Sequence, residues 1–590
     1  METLDTALEP EVSRRVMAGR LAIGLVQGLL LYWLYRAAKE GFWPAGEPYL
    51  FAPLVMLGLM LPVVLISSLG HMWPRQAAWW ALAAGVILVL LSLHDAWRSV
   101  GVPNYWGGPL QRQGAHAPSG QLLLFGAVFL YIAHALAMAA SLDGRRVASY
   151  ATYFEVAWKL AVQLMFSAFF VAALWAVLWM GASLFELVKL GFLRTLLMKD
   201  WFYVPVICFA WSCAMHITDV RPAIVRGIRT LLLVLSSWIL PVAALIITGF
   251  LCTLPFTGLT ALWETRHATS LLLTANAVLI MLINAAFQNG QAKVVLAIRV
   301  SARTAALLLL PLTVIAVYAL GLRVHDYGWT SDRIVAAACL VVSACYSLGY
   351  QWAGYQYDTW LGPISRVNVW TAFVVLAVLL ALFTPLADPA RLSVSHQMAR
   401  LASGRVTADK FDYVYLRREG QRYGREALER FAAQGNQKAA AALKSAPDEI
   451  ANSTPALIKE TVTVVPAGAQ LPAGFAAQKW SDMDHIGQPR CLSNAEVKCT
   501  AMLMDLDGDG KQEVLLFDAS FIGGYLYAEQ PDGVWTLQGT VGAIICPALR
   551  ERLQAGDFKL VTPRWKALEV GGVQLRLEHL FSQKDCAAIK

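Results

Sequence analysis

Eleven stretches of almost unbroken apolar character lie between Leu21 and Leu386, and none alternates with polar residues as a water-facing helix or strand would. They fall near Leu21–Tyr35, Tyr49–Leu69, Ala78–Leu93, Gln121–Ala140, Ala157–Met180, Trp201–Met215, Leu231–Leu251, Leu271–Ala286, Thr304–Leu320, Ile334–Tyr350 and Val369–Leu386. At a rise of about 1.5 Å per residue, such lengths match a hydrocarbon core of about 30 Å once flanking Trp, Tyr and charged residues complete the ends. The pattern predicts a polytopic α-helical membrane protein with 11 transmembrane helices. Beyond Leu386 the apolar runs shorten and turn residues become frequent, so a C-terminal soluble α+β domain is expected. The predicted division is a transmembrane bundle over 1–386, a helical juxtamembrane segment of the tail over 387–446, and a β-rich extracytoplasmic domain over 447–590.

Local features refine this frame. Arg14, Arg15 and Arg20 precede the first span, but the span ends in Tyr32-Trp33-Leu34-Tyr35-Arg36 and a second span follows at once. It reads as an uncleaved anchor. Ser183–Lys199 sets Glu186, Lys189, Arg194 and Lys199 among leucines and phenylalanines. An amphipathic helix on the membrane surface is expected there, with an extension of the fifth span as the alternative. Pro62, Pro205, Pro241 and Pro311 fall inside spans, where they mark either broken helices around a midplane site or prolines that the helices tolerate.

Composition and charge sharpen the topology. Hydrophobic residues make up 57% of the chain and charged residues 15%. The tail from Asp388 carries 24 basic and 24 acidic residues, so the whole net charge of +8 lies in the membrane part. That excess is explained by loop placement, and nucleic acid is not implied as a partner; the lipid bilayer is. With the N-terminus in the cytoplasm, 14 basic residues fall on the cytoplasmic side and 10 in the opposite loops. An odd number of spans then puts the tail in the periplasm.

Polar residues within spans are the first candidates for function, because uncompensated polarity in lipid is costly. They are His134, Gln163, Asn276 and Asn284, for which interhelical hydrogen bonding is the plainer reading. Glu155 and Lys159, four residues apart, predict an interfacial salt bridge with Lys159 reaching toward the headgroups, or else a functional ion pair. Asp95, Glu264 and Asp326 are candidates at the outer face. His94-Asp95 and His325-Asp326 are adjacent pairs, but adjacency does not aim both side chains at one ligand.

The tail carries two sharper signals. Cys491, Cys499, Cys546 and Cys586 form an even set, as structural disulfides in an oxidising compartment require, and proximity favours Cys491 with Cys499 and Cys546 with Cys586. Asp505-Leu506-Asp507-Gly508-Asp509-Gly510-Lys511-Gln512-Glu513 spaces carboxylates at positions one, three and five, offers the Lys511 carbonyl at seven, and closes with Glu513. Hard oxygen ligands at this spacing suit calcium in a compact loop between strands, with an ion-free acidic hairpin as the alternative. Thr407 is a candidate N-cap for a helix over Ala408–Leu416, with Arg425–Ala433 helical after Gly420 and Gly424. Glu513–Phe517, Tyr525–Ala528 and Val534–Leu537 predict antiparallel strands, the last two joined at Pro531-Asp532-Gly533.

Three segments, INAAFQNG over Ile283–Gly290, HDYGWTSDRI over His325–Ile334 and LASGRVTADKFDYVYLRREGQRYGREAL over Leu401–Leu428, resemble a bacterial family of polytopic inner-membrane proteins known as domain of unknown function 4153. The resemblance covers the eleven spans and roughly the first forty residues of the tail. It implies an inner-membrane bundle followed by an extracytoplasmic segment, and no activity, because the family has none assigned. No nucleotide-binding loop, zinc-protease helix or nucleophile elbow occurs, catalytic residues are unassigned and no organic cofactor is evident. A transport or envelope-maintenance role is expected rather than catalysis. The alternatives are a membrane-embedded transferase acting on a lipid-linked substrate and an envelope sensor with a metal-binding tail.

Overall fold

The computed structural model of the 590-residue chain describes residues 14–102, 117–258, 268–290, 294–356, 360–408, 410–444, 458, 461–465, 469–478, 480, 490–492, 498–518, 523–541, 546–555, 557, 559–561, 568–570 and 573–575. Two compact units divide at Leu443 and Lys444.

Among the described residues, the first unit holds eleven helices long and apolar enough to cross a membrane. They are α1 (Arg14–Glu40), α2 (Pro48–Ser68), α3 (Pro74–Ser99), α4 (Gly120–Asp143), α5 (Tyr150–Leu187), α7 (Asp200–Val220), α8 (Pro222–Thr257), α9 (Ala268–Phe287), α10 (Leu296–Tyr327), α11 (Ser331–Tyr355) and α12 (Ile364–Leu382), with the short α6 (Phe192–Leu197) between α5 and α7. Phe169, Leu245, Ile246 and Leu271 are well exposed on the outside of this bundle, as lipid-facing side chains are. Its largest core joins α8 to α12 around Leu279, Ala302, Ala305, Leu309 and Tyr350, while α1 packs most extensively on α7.

The prolines do not break their helices. Pro62, Pro205, Pro241 and Pro311 each lie inside one continuous helix. Neighbouring helices and local backbone adjustment make such prolines tolerable in membranes. Nor is Ser183–Lys199 a single surface helix. α5 runs to Leu187, at 38 residues long enough to extend past the hydrocarbon core, Lys189 takes a left-handed backbone at φ 62°, and only then does α6 begin.

Four further helices, α13 (Pro389–Ala402), α14 (Tyr413–Glu419), α15 (Gln421–Ala433) and α16 (Gln437–Lys444), follow α12, and α13 to α15 pack within the first unit against α11 and α3. Thr407 is not the N-cap expected. Asp412 caps α14 instead, its carboxylate accepting from the Tyr415 N–H at 2.8 Å.

The second unit is built on a five-stranded sheet in the order β1 (Val462–Val465), β2 (Cys499–Met504), β3 (Glu513–Asp518), β4 (Gly524–Glu529), β5 (Trp535–Val541), antiparallel except for the β1–β2 pair. Strand alternation sends Ala501, Val514 and Leu516 to one core with Phe475, Trp480 and Trp535, and Met502, Leu515 and Phe517 to the other face against Leu549 and Leu553. These last two lie on α18 (Pro547–Gln554); α17 (Ala473–Ala477) carries Phe475. β6 (Leu568–Val570) and β7 (Val573–Leu575) form a separate hairpin.

Candidate functional site

Gly24 and Gly28, one turn apart on α1, let α7 approach at backbone distance. A Cβ at Gly24 would sit 2.4 Å from Ser212 Cβ, and one at Gly28 would sit 2.5 Å from Pro205 Cα. Small residues four apart are the usual means of such a crossing in lipid. The crossing lays Arg20 along α7: Ser212 Oγ donates to the Arg20 carbonyl at 2.7 Å, and the Arg20 side chain reaches Asp219 at the end of the helix.

Arg20, His71, Lys159 and Asp219 meet there, drawn from α1, the α2–α3 turn, α5 and α7. Asp219 is the centre of the cluster. Its Oδ2 lies 2.7 Å from Arg20 Nη2 and 3.1 Å from His71 Nε2, and its Oδ1 lies 3.1 Å from Lys159 Nζ. Arg20 also donates to the Leu69 carbonyl, and Lys159 Nζ is 2.8 Å from His71 Nε2. Burial, and next the Lys159 ammonium, lower the pKa of His71 from its ordinary value. Three basic side chains thus converge on one carboxylate. Beside it, Arg229 of α8 binds the Glu155 carboxylate of α5. Glu155, Lys159, Thr218, Asp219, Pro222, Val225, Arg226 and Arg229 line a small cleft of about 30 Å³.

The expected Glu155–Lys159 bridge is therefore replaced by two bridges to other helices, and Lys159 turns inward instead of reaching for headgroups. Sequence reasoning missed Asp219 and His71 altogether. The available signal was a carboxylate in the last turn of an apolar span, costly there unless a cation from another helix meets it.

The polar residues singled out within spans are hydrogen-bonded across helices. His134 sits between Ser67 Oγ at 2.7 Å and Trp80 Nε1 at 3.0 Å. Gln163 donates to the Met215 carbonyl at 2.9 Å. Asn276 donates to Thr313 Oγ1 at 2.9 Å and Ser343 Oγ at 3.1 Å. Asn284 joins a different network, donating to Tyr350 OH at 2.9 Å and accepting from Asn368 at 2.6 Å.

The two described acids of those expected at the outer face, Asp95 and Asp326, are not gathered. Asp95 lies within α3, buried, bonded to Arg98 at 2.7 Å and to the Ser119 N–H at 2.7 Å, where it holds the residue that caps α4. Asp326 is exposed beside His325. Glu264 lies outside the described residues. His94 turns away from Asp95 to Asp388, its Nε2 2.9 Å from Oδ2. Burial alone would raise the pKa of Asp388, but the His94 hydrogen bond and the Arg98 charge outweigh it and hold the carboxyl below its usual range. Asp388 also caps α13 through the Ala390 N–H at 2.8 Å, and Arg422 of α15 stacks 4.5 Å over the Trp97 ring, so α13 and α15 are fastened to the end of α3.

In the second unit, the loop from β2 to β3 brings the ligand atoms of Asp505, Asp507, Asp509 and Glu513 within 4.8 Å of one another. Backbone N–H groups of Gly508 and Gly510 donate to Asp505, that of Asp509 to Asp507, that of Lys511 to Asp509 and that of Leu506 to Glu513. Gly508 and Gly510 supply the positive φ, 80° and 84°, that the turn requires. Burial first, offset by the Leu506 N–H, and then the three aspartates raise the pKa of Glu513. The spacing fits a single cation with oxygen ligands at about 2.3–2.6 Å. Cys491 and Cys499 form a disulfide, Cα atoms 5.9 Å apart. Cys546 is also disulfide-bonded, and its expected partner Cys586 lies outside the described residues.

A family model described as Domain of unknown function (DUF4153) matches residues 54–431, well over half of the chain. The chain belongs to the DUF4153 family. The match begins inside α2, later than the first span expected from the sequence, so α1 and Arg20 fall outside it while His71, Lys159 and Asp219 fall within. The DUF4153 region ends in α15 and leaves the β-rich unit beyond it. No curated protein matches the chain, and no solved structure does.

Proposed function

We propose that this DUF4153 protein is an integral protein of the bacterial inner membrane with a transport or envelope-maintenance role, its N-terminus in the cytoplasm and its β-rich domain in the periplasm. The buried cluster of Arg20, His71, Lys159 and Asp219 beside a cleft carries the functional reading. Ionisable groups at the ends of membrane spans are expensive and are kept where a protein uses them. Asp95, one of the three acids expected at the outer face with Glu264 and Asp326, is occupied in holding α4. The orientation is supported by the odd number of spans, the excess of basic residues on the proposed inner side and the tail disulfide. The acidic loop binds calcium, which stiffens the β2–β3 connection and takes no part in chemistry.

Two experiments test this. Alkaline phosphatase fused after Lys590 is expected to be active, and an inactive fusion together with a fluorescent cytoplasm-only reporter at the same place overturns the orientation. In a deletion strain with a weakened envelope barrier, wild type is expected to restore resistance to detergent and Asp219→Asn to fail at equal abundance. An intact barrier in the deletion strain overturns the role.

A further inference from the structure

His71 Nε2 faces two partners that make opposite demands on it. Lys159 Nζ stands 2.8 Å away and Asp219 Oδ2 3.1 Å away. An ammonium has only hydrogens to give and a carboxylate only lone pairs, while a ring nitrogen carries one or the other, so Nε2 serves a single partner at a time. The side chains of His71 and Asp219 are 1% exposed and that of Lys159 12%, which leaves the choice to be made inside the cluster. Among the described residues, His71 Nδ1 is buried with no partner, so the ring has no second contact to decide it. Asp219 Oδ1 is buried and receives no hydrogen bond, although Lys159 Nζ lies 3.1 Å from it. Lys159 thus has an open acceptor within reach besides His71. It also lines the cleft, whose volume of about 30 Å³ suffices for about two water molecules.

We propose that the cluster is a proton site, loaded from water in the cleft through Lys159 onto His71 Nε2. In the unloaded state Nε2 keeps its lone pair, Lys159 donates to it, and Nδ1 carries the ring hydrogen. Loading breaks one Nζ–H bond of Lys159 and forms Nε2–H on His71, and Lys159 recovers a proton from hydronium in the cleft, which becomes water. The imidazolium then donates to Asp219 Oδ2, and Lys159 turns to the open Oδ1. Release runs the same steps backward. Loading therefore moves the tie of the α2–α3 turn from α5 to α7, a link between proton binding and helix packing of the kind that transport requires. This inference names the coupling ion of the transport role proposed above and rests on that reading. Among the described residues, the charged groups facing His71 are Arg20 of α1, Lys159 of α5 and Asp219 of α7. His134 of α4 is the next titratable group, and His216 of α7 lies near Arg20 and Asp219. Glu155, Arg226 and Arg229 line the cleft beyond them. Burial first and then Lys159 disfavour the imidazolium, and Asp219 favours it, so loading is expected below the ordinary histidine value of about 6.5.

The test uses the purified full-length protein in a neutral detergent. Deuterium exchange at the histidine Cε1 hydrogen, whose rate follows ring protonation, is measured by mass spectrometry across about pH 4–9, the range in which histidine titrates. The peptide carrying His71 is expected to give one midpoint below the ordinary histidine value. That midpoint is expected to move to higher pH in Lys159→Met, which removes the competing donor, and to lower pH in Asp219→Asn, which removes the charge that welcomes the proton. A His71 rate with no midpoint in the range overturns the proposal, as does a midpoint that stays put in both variants. Should a variant not fold, the wild-type curve decides, a midpoint supporting the site and its absence overturning it. If His71 shows no midpoint while Asp219→Asn still fails to restore the envelope barrier, the proton site falls and the functional role of the cluster stands. The expected midpoint and shifts beside an intact barrier in the deletion strain support the proton site and remove that role.

Discussion

Asp219 Oδ2 lies 2.7 Å from the Arg20 guanidinium, and both side chains are only 1% exposed, so the tie between α1 and α7 is a shielded ion pair. Removing one partner of such a pair leaves the other buried and uncompensated, a cost of about 3–5 kcal/mol. Asp219→Ala is therefore expected to lower the Tm of the purified protein sharply. The double change Arg20→Gln with Asp219→Asn is expected to be less damaging than the sum of its single changes, and strict additivity in that cycle would show that the pair is uncoupled.

The α1–α7 crossing gives a steric counterpart. Gly28→Leu places a side chain where Pro205 Cα already stands, and overpacking of this kind costs about 1–3 kcal/mol or more. Gly321→Ala, with nothing within 4 Å of the added carbon, serves as the control. Equal thermal stability of the two variants would contradict the crossing.

Acid is expected to loosen α13. The folded pKa of Asp388 is depressed, so its contribution is present above the unfolded value of about 3.9 and is lost as pH falls through the lower folded value. Hydrogen exchange in a peptide covering residues 389–402 should accelerate only in that acid range. In His94→Ala, which removes one source of the depression, the acceleration should begin at higher pH.

Mass spectrometry without reduction should recover Cys491 and Cys499 as one linked pair. In the chain-entropy description, a loop of about eight residues contributes about 2.5 kcal/mol, so Cys491→Ser with Cys499→Ser should destabilise the β-rich unit by about that amount.

Calcium should slow hydrogen exchange in residues 505–513 of the full-length protein, and magnesium should do so less. Asp507→Ala should abolish the calcium effect without changing exchange in β4. An exchange profile indifferent to calcium in the wild type would leave an acidic hairpin closed only by its own backbone hydrogen bonds.

How much was legible in the sequence depended on how local each signal was. The spans could be read because each is set by its own apolar run, and the acidic loop because its carboxylates lie within nine residues of one another. β1 was not foreseen. Val462–Val465 is too short to alternate convincingly and owes its place to β2, which lies beyond an intervening segment of chain. The charge cluster was hidden for a similar reason. Arg20, His71, Lys159 and Asp219 each stand near a span end, where sequence rules assign charge to headgroups, and only tertiary packing brings them together. The i,i+4 rule correctly put Glu155 and Lys159 one turn apart, yet each side chain found a partner on another helix, Arg229 for one and Asp219 for the other.

The tie between α1 and α7 also sets an order of biogenesis. Arg20 leaves the ribosome about two hundred residues before Asp219, which at about 5–20 residues per second is on the order of ten to forty seconds. Throughout that interval the first helix has neither its counter-ion nor the backbone that its glycines are shaped to receive. The nascent chain must be sheltered, or its first helix kept shallow, until the later span arrives to close around it.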